Sequence, residues 1–233
     1  MTRGLGAIWL GLLGLGLFGP LPAVMAEAIQ PVGVRQIEFS DTRYGDRILT
    51  LAVFYPAKVD AGAKPSGLPF FTGLALYRDA EIAPAEEKRP LVMFSHGRGS
   101  NPMYYAWLAQ ELARNGNIVA GIYHWRANTY EATIPYLANK LWQRPADISL
   151  SIDFPLADSF WSRQIDPGRI GVAGHSQGGF TALWLGGARV NAEKYLAFQQ
   201  GWRNNPSVPG HLREALPLDP QPALDVADKR IKA

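Results

Sequence analysis

The tract Arg169-Ile170-Gly171-Val172-Ala173-Gly174-His175-Ser176-Gln177-Gly178-Gly179 leaves this chain few folds to choose from. It reads as a buried strand, a very tight turn and the opening of a helix. Within it, Gly174 to Gly178 fits the pattern G-x-S-x-G, in which a serine stands at a strained strand-to-helix turn and glycines let the two elements approach closely. Beyond the turn Phe180, Leu183 and Trp184 recur at helical spacing, so a helix from Gln177 to about Ala188 lays one apolar face on a sheet. The five-residue pattern alone would also fit a structural serine bonded to its own backbone. With the strand before it and the helix after it, the pattern marks Ser176 as a nucleophile.

The rest of the chain supplies the sheet. Val34 to Phe39, a turn through Asp41 to Asp46, and Ile48 to Tyr55 ending at Pro56 predict an antiparallel hairpin. Residues 57–89, rich in Pro, Gly, Ala and charge, read as an exposed, solvated excursion. Leu91 to Ser95 is a short continuous apolar run, the mark of a parallel strand buried on both faces. After it comes the loop His96-Gly97-Arg98-Gly99-Ser100. Asn101 then caps a helix with Pro102 at its first position and Tyr105, Leu108, Ala109 and Leu112 on its buried face, ending at Asn115-Gly116. Ile118 to Tyr123 is another buried strand. Helical material follows from about Ile134 and again from Ala146, where Pro155 predicts a kink or an early stop. Strands and helices alternating in this way give a right-handed parallel sheet. The stretch 189–222, with Tyr195, Phe198, Trp202 and several prolines, is either a lid or a surface crossing. Ala223 to Ala233 reads as a short helix followed by the opening of another strand at Arg230.

Composition bounds what such a fold can do. With 47% hydrophobic and 18% charged residues among 233, the chain is an ordinary globular protein with one domain, 27–233. Residues 1–26 read as a signal peptide: Arg3, the apolar run Leu5 to Phe18, and Val24-Met25-Ala26 before Glu27. The expected location is therefore periplasmic or secreted. The formal G-x-G-x-x-G at Gly14 to Gly19 lies inside that run and carries no nucleotide site. Losing 1–26 takes Lys+Arg from 23 to 22 against 20 Asp+Glu, a net +2 that makes no nucleic-acid footprint. No later stretch is long enough to span a membrane. With no cysteine, disulfides, a thiol nucleophile and thiolate metal sites are excluded. The histidines at 96, 124, 175 and 211 lack the paired spacing of zinc sites, so neither metal nor other cofactor is expected.

The elbow at Ser176, the His96-Gly97 loop and the order of elements together resemble the α/β-hydrolase superfamily over about residues 33 to 233, and the tracts Ile165 to Gly179 and Arg144-Pro145-Ala146-Asp147 carry a narrower likeness. These tracts resemble the superfamily's dienelactone hydrolase and platelet-activating-factor acetylhydrolase-like branch, although true dienelactone hydrolases carry cysteine where this chain has Ser176. The resemblance implies an α/β fold, a mostly parallel sheet flanked by helices behind an N-terminal antiparallel hairpin. It also implies a lipase-like serine esterase that cleaves a small-molecule carboxylic ester or lipid through an acyl-enzyme on Ser176.

In the same comparison the backbone N–H groups of Gln177 and Arg98 form the oxyanion hole, with Gly99 as the alternative to Arg98. His96 fixes its loop and His175 points away from the nucleophile. His124, just past a strand's carboxyl end, is a candidate for lining the cleft, with a packed histidine as the other reading. The superfamily's triad runs Ser, acid, His in chain order, yet only His211 follows Ser176, and Asp219, Asp225 and Asp228 come after it. The expectation is therefore that acid and histidine lie beyond Ala233 with the last strands, which would leave this chain inactive by itself. The alternative is a non-catalytic binding protein that kept the elbow and lacks both partners. Substrate and oligomeric state are open.

Overall fold

Strand β1, Val32–Asp41, pairs antiparallel with β2, Arg47–Lys58, from Val32 opposite Pro56 to Asp41 opposite Arg47. In β2, Leu49, Leu51, Val53 and Tyr55 point into one core and Ala52 and Phe54 into another, because this strand lies inside the sheet and both its faces are covered. The computed structural model describes residues 29–41, 47–69, 71–133, 141–215 and 225–232. The expected signal peptide and the helix expected to begin at Ile134 lie outside these.

Short strands β3, Leu76–Arg78, and β4, Glu81–Ile82, pair with β1 and β2 respectively. The excursion 57–89 is thus not simply solvated loop. Leu76 is buried, and the Ala75 N–H donates to Gln110 Oε1 at 2.7 Å. A three-residue strand is too short to leave a periodic signal, so only the tertiary pairing reveals it.

The centre of the sheet is parallel: β5, Arg89–Ser95, lies between β6, Ile118–Tyr123, and β7, Ile165–Gly174, while β6 meets β2 antiparallel. The order is β3-β1-β2-β6-β5-β7. A 3₁₀ turn, Pro102–Tyr105, capped by Asn101 Oδ1 accepting from the Met103 N–H at 2.9 Å, leads into α1, Ala106–Arg114. Ala106, Ala109 and Ala113 let α1 sit close on the face formed by Val34, Phe54 and Val119. The opposite face is covered by α2, Gln143–Ala157, through Ile148 and Ile152, and by α3, Gln177–Leu185, through Leu185.

α2 runs through Pro155 and ends two residues later, at Ala157. The proline stands in the last turn, where few helical bonds remain to be lost, and its ring is buried. The stretch after Ala188 contains α4, Ala192–Arg203, and α5, Gly210–Ala215, with Tyr195 edge-on to Trp142 at 6.3 Å. Residues 225–232 carry no helix. Ile231 bridges Ile170 in parallel and the Lys232 N–H donates to Ile170 O at 2.8 Å, so the expected opening of another strand lies beside β7. Among the described residues no helix is long and apolar enough to cross a membrane.

Candidate active site

The turn from β7 into α3 carries the strain its sequence implies. Ser176 has φ 55 and ψ −118, a conformation that costs a non-glycine residue about 1–3 kcal/mol and persists only where the surroundings enforce it. Here they do. The His175 N–H donates to Ser95 O at 3.1 Å, and the Gly178 and Gly179 N–H groups donate to His175 O and Ser176 O at 2.8 and 2.9 Å. A Cβ on Gly178 would overlap the Ser95 carbonyl, and one on Gly174 would overlap the Gly178 carbonyl, so α3 can approach the strand ends only with glycine at both places. Ser176 is exposed and its side chain makes no capping bond, which leaves the hydroxyl presented at the carboxyl edge of the sheet.

The loop after β5 stands opposite. Ser95 and Gly174 are register partners, so the segment 96–100 and the Ser176 turn leave neighbouring strands at the same level. The Ser100 N–H donates to Gly97 O at 3.3 Å, making Arg98 and Gly99 the corner of a tight turn, with Gly99 at φ 61 and Arg98 exposed. His96 anchors the loop from inside. Its Nδ1 lies 2.7 Å from Gly97 O, and its Nε2 accepts from the His124 N–H at 3.4 Å. Burial, with His124 and Arg144 adding to it, pushes the His96 pKa down to about 2, so the ring is neutral.

His124 does not line a cleft. It is wholly buried, with Nε2 2.8 Å from Ser95 Oγ and Nδ1 3.1 Å from Asp147 Oδ2. Burial, then the charge of Arg144, holds its pKa well below the ordinary histidine value. The tautomer follows from the partners: Nδ1–H donates to the carboxylate and Nε2 accepts from the Ser95 hydroxyl. Asp147 also takes Arg47 Nη1 at 2.6 Å, although burial pushes its carboxyl up to about 7 against that pull. Ser95, His124 and Asp147 are thus bonded in the order of a catalytic triad, yet they lie under the sheet edge with no surface for a substrate to reach. Sequence reasoning missed this group. Its one signal was the pair Arg144 and Asp147, three apart and hence on one face of α2.

No described histidine is bonded to Ser176. His175 is exposed, with Nδ1 3.0 Å from Tyr105 Oη, and His211 is exposed on α5. Among the described residues no cluster fit to hold a metal occurs. A cavity of about 400 Å³ opens on the β1–β2 face, walled by Phe71, Tyr104, Tyr123 and Tyr130. Asn101, which follows the loop by a few residues, forms part of its rim.

The sequence model of the family described as platelet-activating factor acetylhydrolase, isoform II, matches residues 72–148, about a third of the chain. No curated protein matches. Among solved structures, a ferulic acid esterase from Streptomyces cinnamoneus superimposes with a TM-score of 0.55 at 24% identity, covering 69% of this chain and 56% of that one. A brefeldin A esterase, a bacterial homologue of human hormone sensitive lipase, aligns over 90% of this chain and 41% of its own at 17% identity, TM-score 0.39. The fluorophosphonate-binding serine hydrolase F of Staphylococcus aureus aligns over 80% and 66% at 13% identity, TM-score 0.41. This chain therefore spans just over half the length of the ferulic acid esterase. The sheet order and elbow agree with the superposition: the chain has the α/β-hydrolase fold and is related to the α/β-hydrolase superfamily.

Proposed function

We propose that this protein is a serine hydrolase of small-molecule carboxylic esters, with Ser176 as nucleophile. The observation that carries the reading is the exposed hydroxyl of Ser176, held at φ 55 on the turn between β7 and α3, at the carboxyl edge of the sheet. In the proposed step Ser176 Oγ attacks the ester carbonyl carbon, its proton passes to a base, and the carbonyl π pair moves onto oxygen. The N–H groups of Gln177, at the head of α3, and of Arg98, at the corner of the facing loop, stabilise that oxygen. As the intermediate collapses and the C–O bond breaks, the base returns the proton to the departing alcohol, leaving an acyl-enzyme, which water then hydrolyses. The aromatic-walled cavity beside the loop supports a small-molecule substrate. The esterases this chain resembles in fold support the same class.

A second reading, a binding protein that keeps the elbow without turnover, is favoured by one observation: no described histidine reaches Ser176. The expected location is the periplasm or the medium. The deciding experiment is fluorophosphonate labelling of the native gene product in extracts of its own cells, with the adduct mapped by mass spectrometry. A phosphonylated Ser176, absent from Ser176→Ala cells, supports the hydrolase. A protein that binds a p-nitrophenyl ester yet takes no label supports the binding reading.

A further inference from the structure

Arg144 reaches both halves of the site from beneath. It is 2% exposed, on the first turn of α2, and its guanidinium divides between two segments distant from it in sequence. Nη1 donates to Gln177 Oε1 at 3.2 Å. Nη2 donates to the carbonyl oxygen of His96 and to Ser95 Oγ at 3.4 Å. His96 opens the loop that carries Arg98, and Gln177 heads α3. One planar donor fork therefore spans the two segments whose amides form the proposed oxyanion hole.

The fork is itself held. Asp147, on the same face of α2, takes the Nδ1–H of His124, and His124 Nε2 takes the Ser95 hydroxyl, which turns the Ser95 oxygen lone pairs toward Arg144. His96 Nδ1–H on Gly97 O keeps the loop's first peptide in place. A buried cation is a costly way to fill space beneath a turn. What it provides here is a set of donors in a fixed plane that meets acceptors on two segments at once, which the single point charge of lysine cannot do.

We propose that Arg144 is a positioning residue, fastening the loop after β5 to the head of α3 at one spacing so that the Arg98 and Gln177 amides converge on a single oxyanion. This rests on the hydrolase reading above. Because displacement of a catalytic group by about 1 Å can cost about 10²-fold in rate, loosening the fastening acts on kcat rather than on substrate binding.

The test uses the native gene product with p-nitrophenyl acetate as probe, and four variants: Arg144→Lys, Gln177→Met, Gln177→Glu and Ser176→Ala. Arg144→Lys and Gln177→Met are expected to lower kcat about 10–100-fold with KM within about twofold. Gln177→Glu, which restores an acceptor for the guanidinium, should recover most of what Gln177→Met loses. Hydrogen exchange should quicken in the 96–100 peptide of Arg144→Lys and Gln177→Met while β6 stays protected. Unchanged kcat in both variants overturns the proposal, and so does exchange that rises equally across β5 and β6, the mark of a general packing role. Should Arg144→Lys fail to fold, Gln177→Met, at a partly exposed position, decides alone. Turnover surviving in Ser176→Ala would defeat the hydrolase reading, while the exchange of 96–100 would still judge the fastening.

Discussion

Tyr105 Oη lies 3.0 Å from His175 Nδ1, so the imidazole next to Ser176 is fastened to the turn that leads into α1 and not to the nucleophile. The Tyr105 ring also packs against Phe94 at 4.7 Å, which fixes the hydroxyl. His175 is therefore a brace for the elbow. In the native gene product His175→Ala should lower ester hydrolysis less than about tenfold, the scale of a lost neutral hydrogen bond, whereas Ser176→Ala should abolish it. Equal losses in the two variants would make His175 the base.

Residues 27–233 by themselves should hydrolyse p-nitrophenyl acetate barely above their Ser176→Ala variant. Serine without a base is a weak nucleophile, and losing the histidine of such a system costs about 10⁶ in turnover. Robust, Ser176-dependent turnover by this segment would show that one of its own four histidines moves to serve the serine.

The closeness of α3 to the strand ends can be measured directly. A methyl on Gly178 would run into the Ser95 carbonyl, a backbone atom that cannot swing aside. Gly178→Ala should destabilise by about 3 kcal/mol or fail to fold, well beyond the about 1 kcal/mol of an ordinary substitution. Urea unfolding of the variant beside an exposed control such as Gly201→Ala, where added Cβ meets nothing, separates the two cases.

Asp147 is bonded to both Arg47 and His124, and all three are buried. Asp147→Asn should cost about 3–5 kcal/mol, because it takes away the carboxyl oxygens that meet Arg47 Nη1 and His124 Nδ1 in the interior. Replacing Arg47 and Asp147 together by Met and Leu should recover part of that loss in a urea titration.

Stability should rise with pH between about 4 and 6.5. His96 and His124 titrate below their ordinary value when folded, so the unfolded chain binds more protons in this window and acid favours it. Asp147, raised to about 7, works the other way, since its folded form holds a proton that the unfolded form gives up above about 4. Two groups outweigh one. Melting temperatures should fall on acidification through this window, with a shallower slope in His96→Gln; a slope the variant leaves unaltered would assign the effect elsewhere.

The outer side of α3 exposes Phe180 and Leu183, beside an apolar groove lined by Val172, Leu185 and Ile231. Among the described residues, β7 is paired on that side only through Ile231. Residues 27–233 should self-associate in light scattering at micromolar concentration, and Phe180→Glu with Leu183→Glu should return a monomer.

The N-terminal hairpin, the central parallel strands and the strained turn at Ser176 were legible in the sequence because each rests on local rules. Apolar runs such as Leu91 to Ser95 and Ile118 to Tyr123 declare buried parallel strands, and glycines at 174 and 178 declare a close approach that no other residue permits. The sheet edge at Leu76 and the burial of His124 were not legible, since each depends on what packs alongside. Above all, Ser95 with His96, His124, and Arg144 with Asp147 come from three separate segments that share no motif. Only the folding of β5, β6 and α2 onto one another brings their donors and acceptors within reach, and a hydrogen bond between distant residues leaves no trace in the chemistry of either one alone.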